Sequence, residues 1–424
     1  MAVPVLPRRL FAALWAGPVV AIFLSANLVN FGNLGFNVLF SRLMGPALFG
    51  QLATVLTLFL AVMSLLGAVQ LAVSQRIATT PSSAGALEAS LARLSRQGLV
   101  FGLVAVPVLI AATVLLDIGT RFGLASVHLL PLLMLCLPFA LPLALARGVA
   151  TGRLDAWRVI LSAQIEMWVR LIGAVCAWQV GLGLAGVVAV LALSVLAGLF
   201  PLRGVYGQPV ETAVPVARDL LVMAFPFALL QAGQVILMDG DVVLALHLLG
   251  AESAGQLAAL GLFQRIQFFA CFGLAAVLVP AVVAEVSGGR TPAAAGQVFA
   301  LYAAVTGGLT LIAFAAPEVT LAALVGPAFL PAAPFLPLTS LAAAAFTLSF
   351  LLATYLAALG DRSGIWAIAL ACPVQIAAIT ITADSLGSLL AAKLACQLAL
   401  AAWLLARAAW CSRPATSRRQ PSHA

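Results

Sequence analysis

Several polar and charged side chains in this sequence interrupt long apolar runs, and their spacing limits what they can do. In "ANLVNFGNLGFN" (26–37) Asn27, Asn30, Asn33 and Asn37 stand three, three and four residues apart. At about 100° per residue they share roughly a third of a helix circumference, a polar stripe that must face a cavity or hydrogen-bond neighbouring helices. Glu166 and Arg170 lie four apart on one helical face with Ser162 a turn earlier, either as an internal ion pair or as part of a cavity wall. Gln231, Gln234 and Asp241 share a face, and Asp239 points to the opposite side. Arg265 and Lys393 have no acidic neighbour in their own helices. They suit an anionic ligand such as a phosphate, or they pair with Glu166, Asp239 or Asp241. The three histidines and six cysteines are too scattered for a metal site, a catalytic triad or a disulfide framework.

The elements that position these groups are set by composition. The chain has 424 residues, 64% hydrophobic and only 8% charged, against about 25% charge in soluble domains. Continuous apolar runs, rather than alternating ones, predict an all-α polytopic membrane protein. Runs near 15–40, 51–74, 97–116, 127–149, 158–180, 182–202, 218–247, 255–284, 296–316, 332–358, 364–383 and 386–410 predict about twelve spans. An ionisable group at the centre of a span costs about 2.5–3.5 kcal/mol on insertion scales, so each one needs a reason to be there.

With the N-terminus cytoplasmic, 16 of the 21 Lys and Arg residues fall inside, Arg147, Arg153 and Arg158 among them. That asymmetry predicts cytoplasmic termini and an even number of spans. The formal charge of +8 then reports topology and does not call for nucleic acid. Arg8 and Arg9 precede an apolar run longer than a signal-peptide core, which is read as an uncleaved first span.

The chain also repeats. "LMGPALFGQLATV" (43–55) returns as "LLGAESAGQLAAL" (248–260), placing Gly45 and Gly50 on Gly250 and Gly255. "ATGRLDAW" (150–157) returns as "ALGDRSGIW" (358–366), with Gly152 set on Gly360. Two echoes at nearly one offset predict parallel repeats: two six-helix lobes, 1–205 and 206–424, around a central cavity. The Pro- and Gly-rich segment 201–219 would link them on the cytoplasmic side.

"SRLMGPALFGQLA" (41–53) resembles the N-terminal signature of the polysaccharide transporter branch of the multidrug/oligosaccharidyl-lipid/polysaccharide (MOP) exporter superfamily, which includes O-antigen flippases. Asp241, nine residues before Gly250, sits where that branch often has an aspartate, and "ATGRLDAWRVILSAQIEMWVRL" (150–171) is similar to its fifth-span entry. The sequence departs from the pattern at Val242, where a basic residue is usual, and at Gln256, where an aromatic follows the glycine.

The resemblance implies a non-enzymatic flippase of the bacterial inner membrane that moves a polyprenyl-pyrophosphate-linked oligosaccharide by alternating access. It also implies coupling to H⁺ or Na⁺ without any other cofactor, and a place beside polysaccharide polymerase and export machinery. Arg170, Arg265 and Lys393 would then counter the pyrophosphate, and the Asn and Gln stripes would meet sugar hydroxyls. Asp241 or Glu166 would take the coupling ion. Two alternatives stand beside this reading, a drug or metabolite cation antiporter on the same fold and a membrane glycosyltransferase or polymerase.

Overall fold

A computed structural model describes residues 17–79, 84–207, 217–287 and 293–411. Among these the chain is helical with no strand: α1 (Pro18–Thr79), α2 (Ala84–Leu115), α3 (Ile118–Arg121), α4 (Leu129–Met134), α5 (Leu137–Gly152), α6 (Ala156–Gln179), α7 (Gly183–Leu199), α8 (Ala217–Leu249), α9 (Ala251–Ser287), α10 (Ala293–Ala315), α11 (Pro317–Val325), α12 (Leu336–Ala358), α13 (Ser363–Thr382) and α14 (Leu386–Cys411). Short 3₁₀ turns follow α7 and precede α12. Arg8, Arg9, Arg290 and most of the expected linker, 208–216, lie outside the described residues.

Among the described residues eleven helices are long and apolar enough to cross a membrane, one fewer than the twelve expected. The difference lies in α1, where Val20–Thr79 runs for 60 residues, about three times the ~20 a span needs. The run breaks at Gly45 (φ 70°, ψ 175°), and Pro46 follows with its φ preset for the next helical turn. The first two expected spans are therefore two segments of one kinked run. Apolar side chains crowd the outer faces: Phe101 is 74% exposed and Leu115 84%. In water such faces would promote aggregation, whereas lipid accepts them.

The chain divides into two compact units, one holding the residues up to Leu43 and 51–231, the other 44–50 and 232–424. The division falls inside α8, because its first turns pack with the first unit, where Arg76 lies 3.7 Å from Asp219. In the second unit Phe268 of α9 packs on Phe346 and Phe350 of α12 with ring centroids 5.7 and 5.4 Å apart.

The repeated glycines do two different jobs. Gly45 and Gly250 both take positive φ (70° and 88°), which ends one helical segment and starts the next. Gly50 and Gly255 instead allow close backbone approach within the second unit. A β-carbon on Gly50 would overlap Ala251 O and Gly255 N, and one on Gly255 would overlap Pro46 O.

The second echo is real, but its register differs from the Gly152-on-Gly360 pairing. Leu154 (φ 57°) and Gly360 (φ 82°) hold the left-handed posts. Each is followed by an aspartate whose N–H reaches back to a helix carbonyl, Asp155 to Ala150 O at 2.9 Å and Asp361 to Leu356 O at 2.9 Å. Asp155 then accepts from Arg158 N as the N-cap of α6, and Asp361 accepts from Ser363 N, the first residue of α13, from one position before its N-cap Arg362. The structural match is Leu154-Asp155 with Gly360-Asp361, two residues from the sequence alignment.

Candidate functional site

Both units bury charges. In the first, α5 supplies Arg147 and α6 supplies Ser162, Glu166 and Arg170, all one turn apart along its inner face. Glu166 bonds Arg170 and lies 2.8 Å from Arg147 Nη2, so one carboxylate serves two guanidinium groups. Ser162 Oγ accepts from Arg147 Nε (2.7 Å) and donates to Gly198 O of α7 (2.6 Å), fixing the first arginine. Arg170 Nη1 donates to Asn33 Oδ1 at 3.0 Å, and its guanidinium lies 4.9 Å from the centre of the Phe59 ring. Arg170 Nε is buried with no hydrogen-bond partner.

Arg147, Glu166, Arg170, Asn33 and Phe59 line a cavity of about 210 Å³ within the first unit, together with Gln70 and Met63. Its charged lining is two arginines and one glutamate, a net charge of +1. Glu166 and Arg170 thus do both things the sequence left open: they pair with each other and they line a cavity.

The asparagine stripe divides. Asn33 reaches this cavity, whereas Asn37 turns its amide back onto Asn33 O at 2.8 Å. Asn27 is half-buried and Asn30 exposed, and neither lines this cavity.

In the second unit the two cations without acidic neighbours in sequence prove to be paired in space. Lys393 Nζ of α14 donates to Asp241 Oδ2 of α8 (2.7 Å), Gln264 Oε1 of α9 (2.9 Å) and Met238 O (2.9 Å). Arg265 Nε donates to Asp239 Oδ1 at 3.0 Å, and Arg265 Nη2 lies equally close. Of the two readings the sequence left open for Arg265 and Lys393, an anionic ligand or a pairing with an acid, the pairing is present, and each cation carries its own counter-charge. Asp239 and Asp241, on opposite sides of α8, bind cations from α9 and α14 respectively.

One turn from the lysine, Gln375 and Gln397 both donate to Leu237 O, at 3.2 and 2.8 Å. Gln234 and Gln231 are half-buried on α8, away from these bonds.

Sequence reasoning placed Arg147 with the cytoplasmic arginines, yet its side chain is 14% exposed and bound to Glu166. Its signal was its position, more than a turn inside the end of α5. Gln264, Gln375 and Gln397 were also missed. Gln375 and Gln397 are isolated amides in apolar spans and Gln264 stands beside Arg265 and Gln267, each a costly choice unless it is bonded.

Neither a family model nor a curated protein sequence matches this chain. Solved structures do. An inward-facing multidrug resistance MATE family transporter of the MOP superfamily aligns with a TM-score of 0.77 at 12% identity, covering 94% of this chain and 100% of the other. The chain has the two-lobed MATE fold. A eukaryotic MATE transporter, AtDTX14, aligns at 0.64 and 14% identity over 92% of this chain and 93% of its own. A MOP superfamily transporter from Pyrococcus furiosus, described by the reverse polarity of its binding pocket, aligns at 0.60 and 13% over 94% and 95%.

Proposed function

We propose that this protein is an alternating-access exporter that carries a polyprenyl-pyrophosphate-linked oligosaccharide across the bacterial inner membrane, from the cytoplasmic to the outer leaflet. The observation that carries this reading is the sign of the first unit's cavity, with Arg147 and Arg170 against Glu166 alone. A buried site with net positive charge and an unpartnered guanidinium N–H favours a phosphate oxygen, which accepts such bonds with charge assistance. A site for cationic drugs would need the opposite balance. Asn33 and Gln70 beside the arginines offer amide groups to sugar hydroxyls. In this reading Glu166 or Asp241 answers the H⁺ or Na⁺ gradient, and polymerase and export machinery receive the product.

A second reading, a multidrug cation antiporter, is favoured by the fold neighbours described as MATE family transporters. The experiment compares a strain deleted for the gene with one complemented by an Arg147→Gln/Arg170→Gln variant. It measures surface polysaccharide, polyprenyl-linked oligosaccharide and drug susceptibility. Loss of a surface glycan, with its lipid-linked unit accumulating on the inner leaflet in both strains, supports the flippase. Unchanged glycans with a shifted drug profile replace it with the antiporter.

A further inference from the structure

The Lys393 ammonium has the surroundings of a bound alkali-metal ion. It is 1% exposed, and its three N–H donors meet three oxygens of three kinds: the Asp241 carboxylate, the Gln264 amide and the Met238 backbone carbonyl. An all-oxygen set of carboxylate, side-chain amide and main-chain carbonyl is what a hard cation selects. Two further acceptors, Asp241 Oδ1 on the same carboxylate and Gln397 Oε1 one turn along α14, are buried with no hydrogen-bond partner, so the Asp241 carboxylate has a lone oxygen that the ammonium does not use.

The charge matches a monovalent ion. Asp241 supplies the one negative charge that touches Lys393, and the neighbouring Asp239 is occupied by Arg265. Nothing beyond +1 is called for. The oxygen positions are held from outside the lysine as well: Gln264 Nε2 donates to Met238 O at 3.2 Å, and Gln375 and Gln397 hold the adjacent Leu237 O. The oxygens therefore do not depend on Lys393 alone to stay where they are.

We infer that α8, α9 and α14 build a monovalent-cation site in the second unit that Lys393 fills from within, as a cation tethered to the chain. An ammonium ion and K⁺ are of similar size, so the oxygens at 2.7–2.9 Å suit K⁺ with little movement and Na⁺ after closing in by a few tenths of an ångström. The native protein is then indifferent to alkali-metal ions at Asp241, and removing the lysine head uncovers the site. The inference does not depend on the glycan assignment. It removes Asp241 from the places where a free Na⁺ binds in the native chain and leaves Glu166 as the remaining acidic candidate.

The test uses the purified full chain in detergent, its thermal unfolding followed in potassium, sodium and N-methylglucamine chloride at equal ionic strength. Lys393→Ala is expected to unfold roughly 2–4 °C higher in the potassium and sodium salts than in N-methylglucamine chloride. The wild type is expected to show no potassium effect, and any sodium effect at Glu166 is shared by the wild type and the variants, so the gain of the variants over the wild type is what is read. The gain should vanish in Lys393→Ala/Asp241→Asn. Lys393→Thr, with a bulkier stem, gives a second folded background. Equal midpoints in all three salts for both lysine variants overturn the inference. So does a wild-type rise as large as theirs, or a rise that survives loss of the Asp241 carboxylate.

Discussion

Gly50 and Gly255 approach so closely that neither has room for a β-carbon: on each, the added atom would overlap main-chain atoms of the other glycine's motif. Gly255→Ala is expected to destabilise the protein by about 1–3 kcal/mol, the range for overpacking a filled contact. Gly261→Ala, in the same helix with open space around it, should be neutral or gain up to about 1 kcal/mol from helix propensity. Thermal midpoints in detergent decide, and equal behaviour of the two variants would show that the close approach carries no weight.

Leu154 sits in the left-handed region where its structural counterpart is Gly360. Its side chain is exposed, so little packing is lost on removing it. Leu154→Gly is expected to stabilise by about 1 kcal/mol through release of the steric cost of that conformation. A loss of stability in the unfolding midpoint would mean the turn is held by its side chain.

Among the described residues Glu166 is the only acid touching Arg147 and Arg170 in the first unit's cavity. Glu166→Gln leaves two buried guanidinium groups facing each other and is expected to cost about 3–5 kcal/mol. Arg147→Gln leaves the Glu166–Arg170 pair intact and should cost less. The order of the two midpoints is the measurement, and the reverse order would defeat the account of the cluster.

Asp361 lies between α12 and α13, outside the membrane-spanning segments. Burial alone would raise its pKa, but hydrogen bonds from Ser363, Arg407 and Cys411 outweigh it and hold the carboxyl at about 2, below the ordinary 3.8. A group with a depressed folded-state pKa stabilises above its unfolded value and loses that contribution as pH falls through the folded one. The stability gap between wild type and Asp361→Ala is therefore expected to be full at neutral pH and to shrink between 3.8 and about 2. A gap independent of pH across that interval would assign the effect to packing.

The fold was legible because lipid imposes one rule on the whole chain: long apolar runs become helices, and Gly-Pro breaks end them. The repeat was legible at Gly45 and Gly250, where backbone geometry demands a residue type. It was misaligned around Gly152 because the conserved feature there is a backbone conformation, which Leu154 adopts without advertising it.

The site was only half readable. Glu166 and Arg170 share a helix, so periodicity revealed them. The partners of Lys393 and Arg265 come from other helices, and no local pattern encodes a pairing across 152 residues. The same limit hid Arg147, which looks like a loop arginine until Glu166 is brought beside it.

The distance in sequence between Asp241 and Lys393 also sets a schedule for making the protein. At roughly 5–20 residues per second of synthesis, the 152 residues between them take about 8–30 s, whereas the 26 residues between Asp239 and Arg265 take about 1–5 s. Asp239 meets its arginine almost as soon as the next helix is made. Asp241 must wait in the growing chain until α14 arrives, so truncation before α14 leaves an unpaired acid in the bilayer for quality control to find.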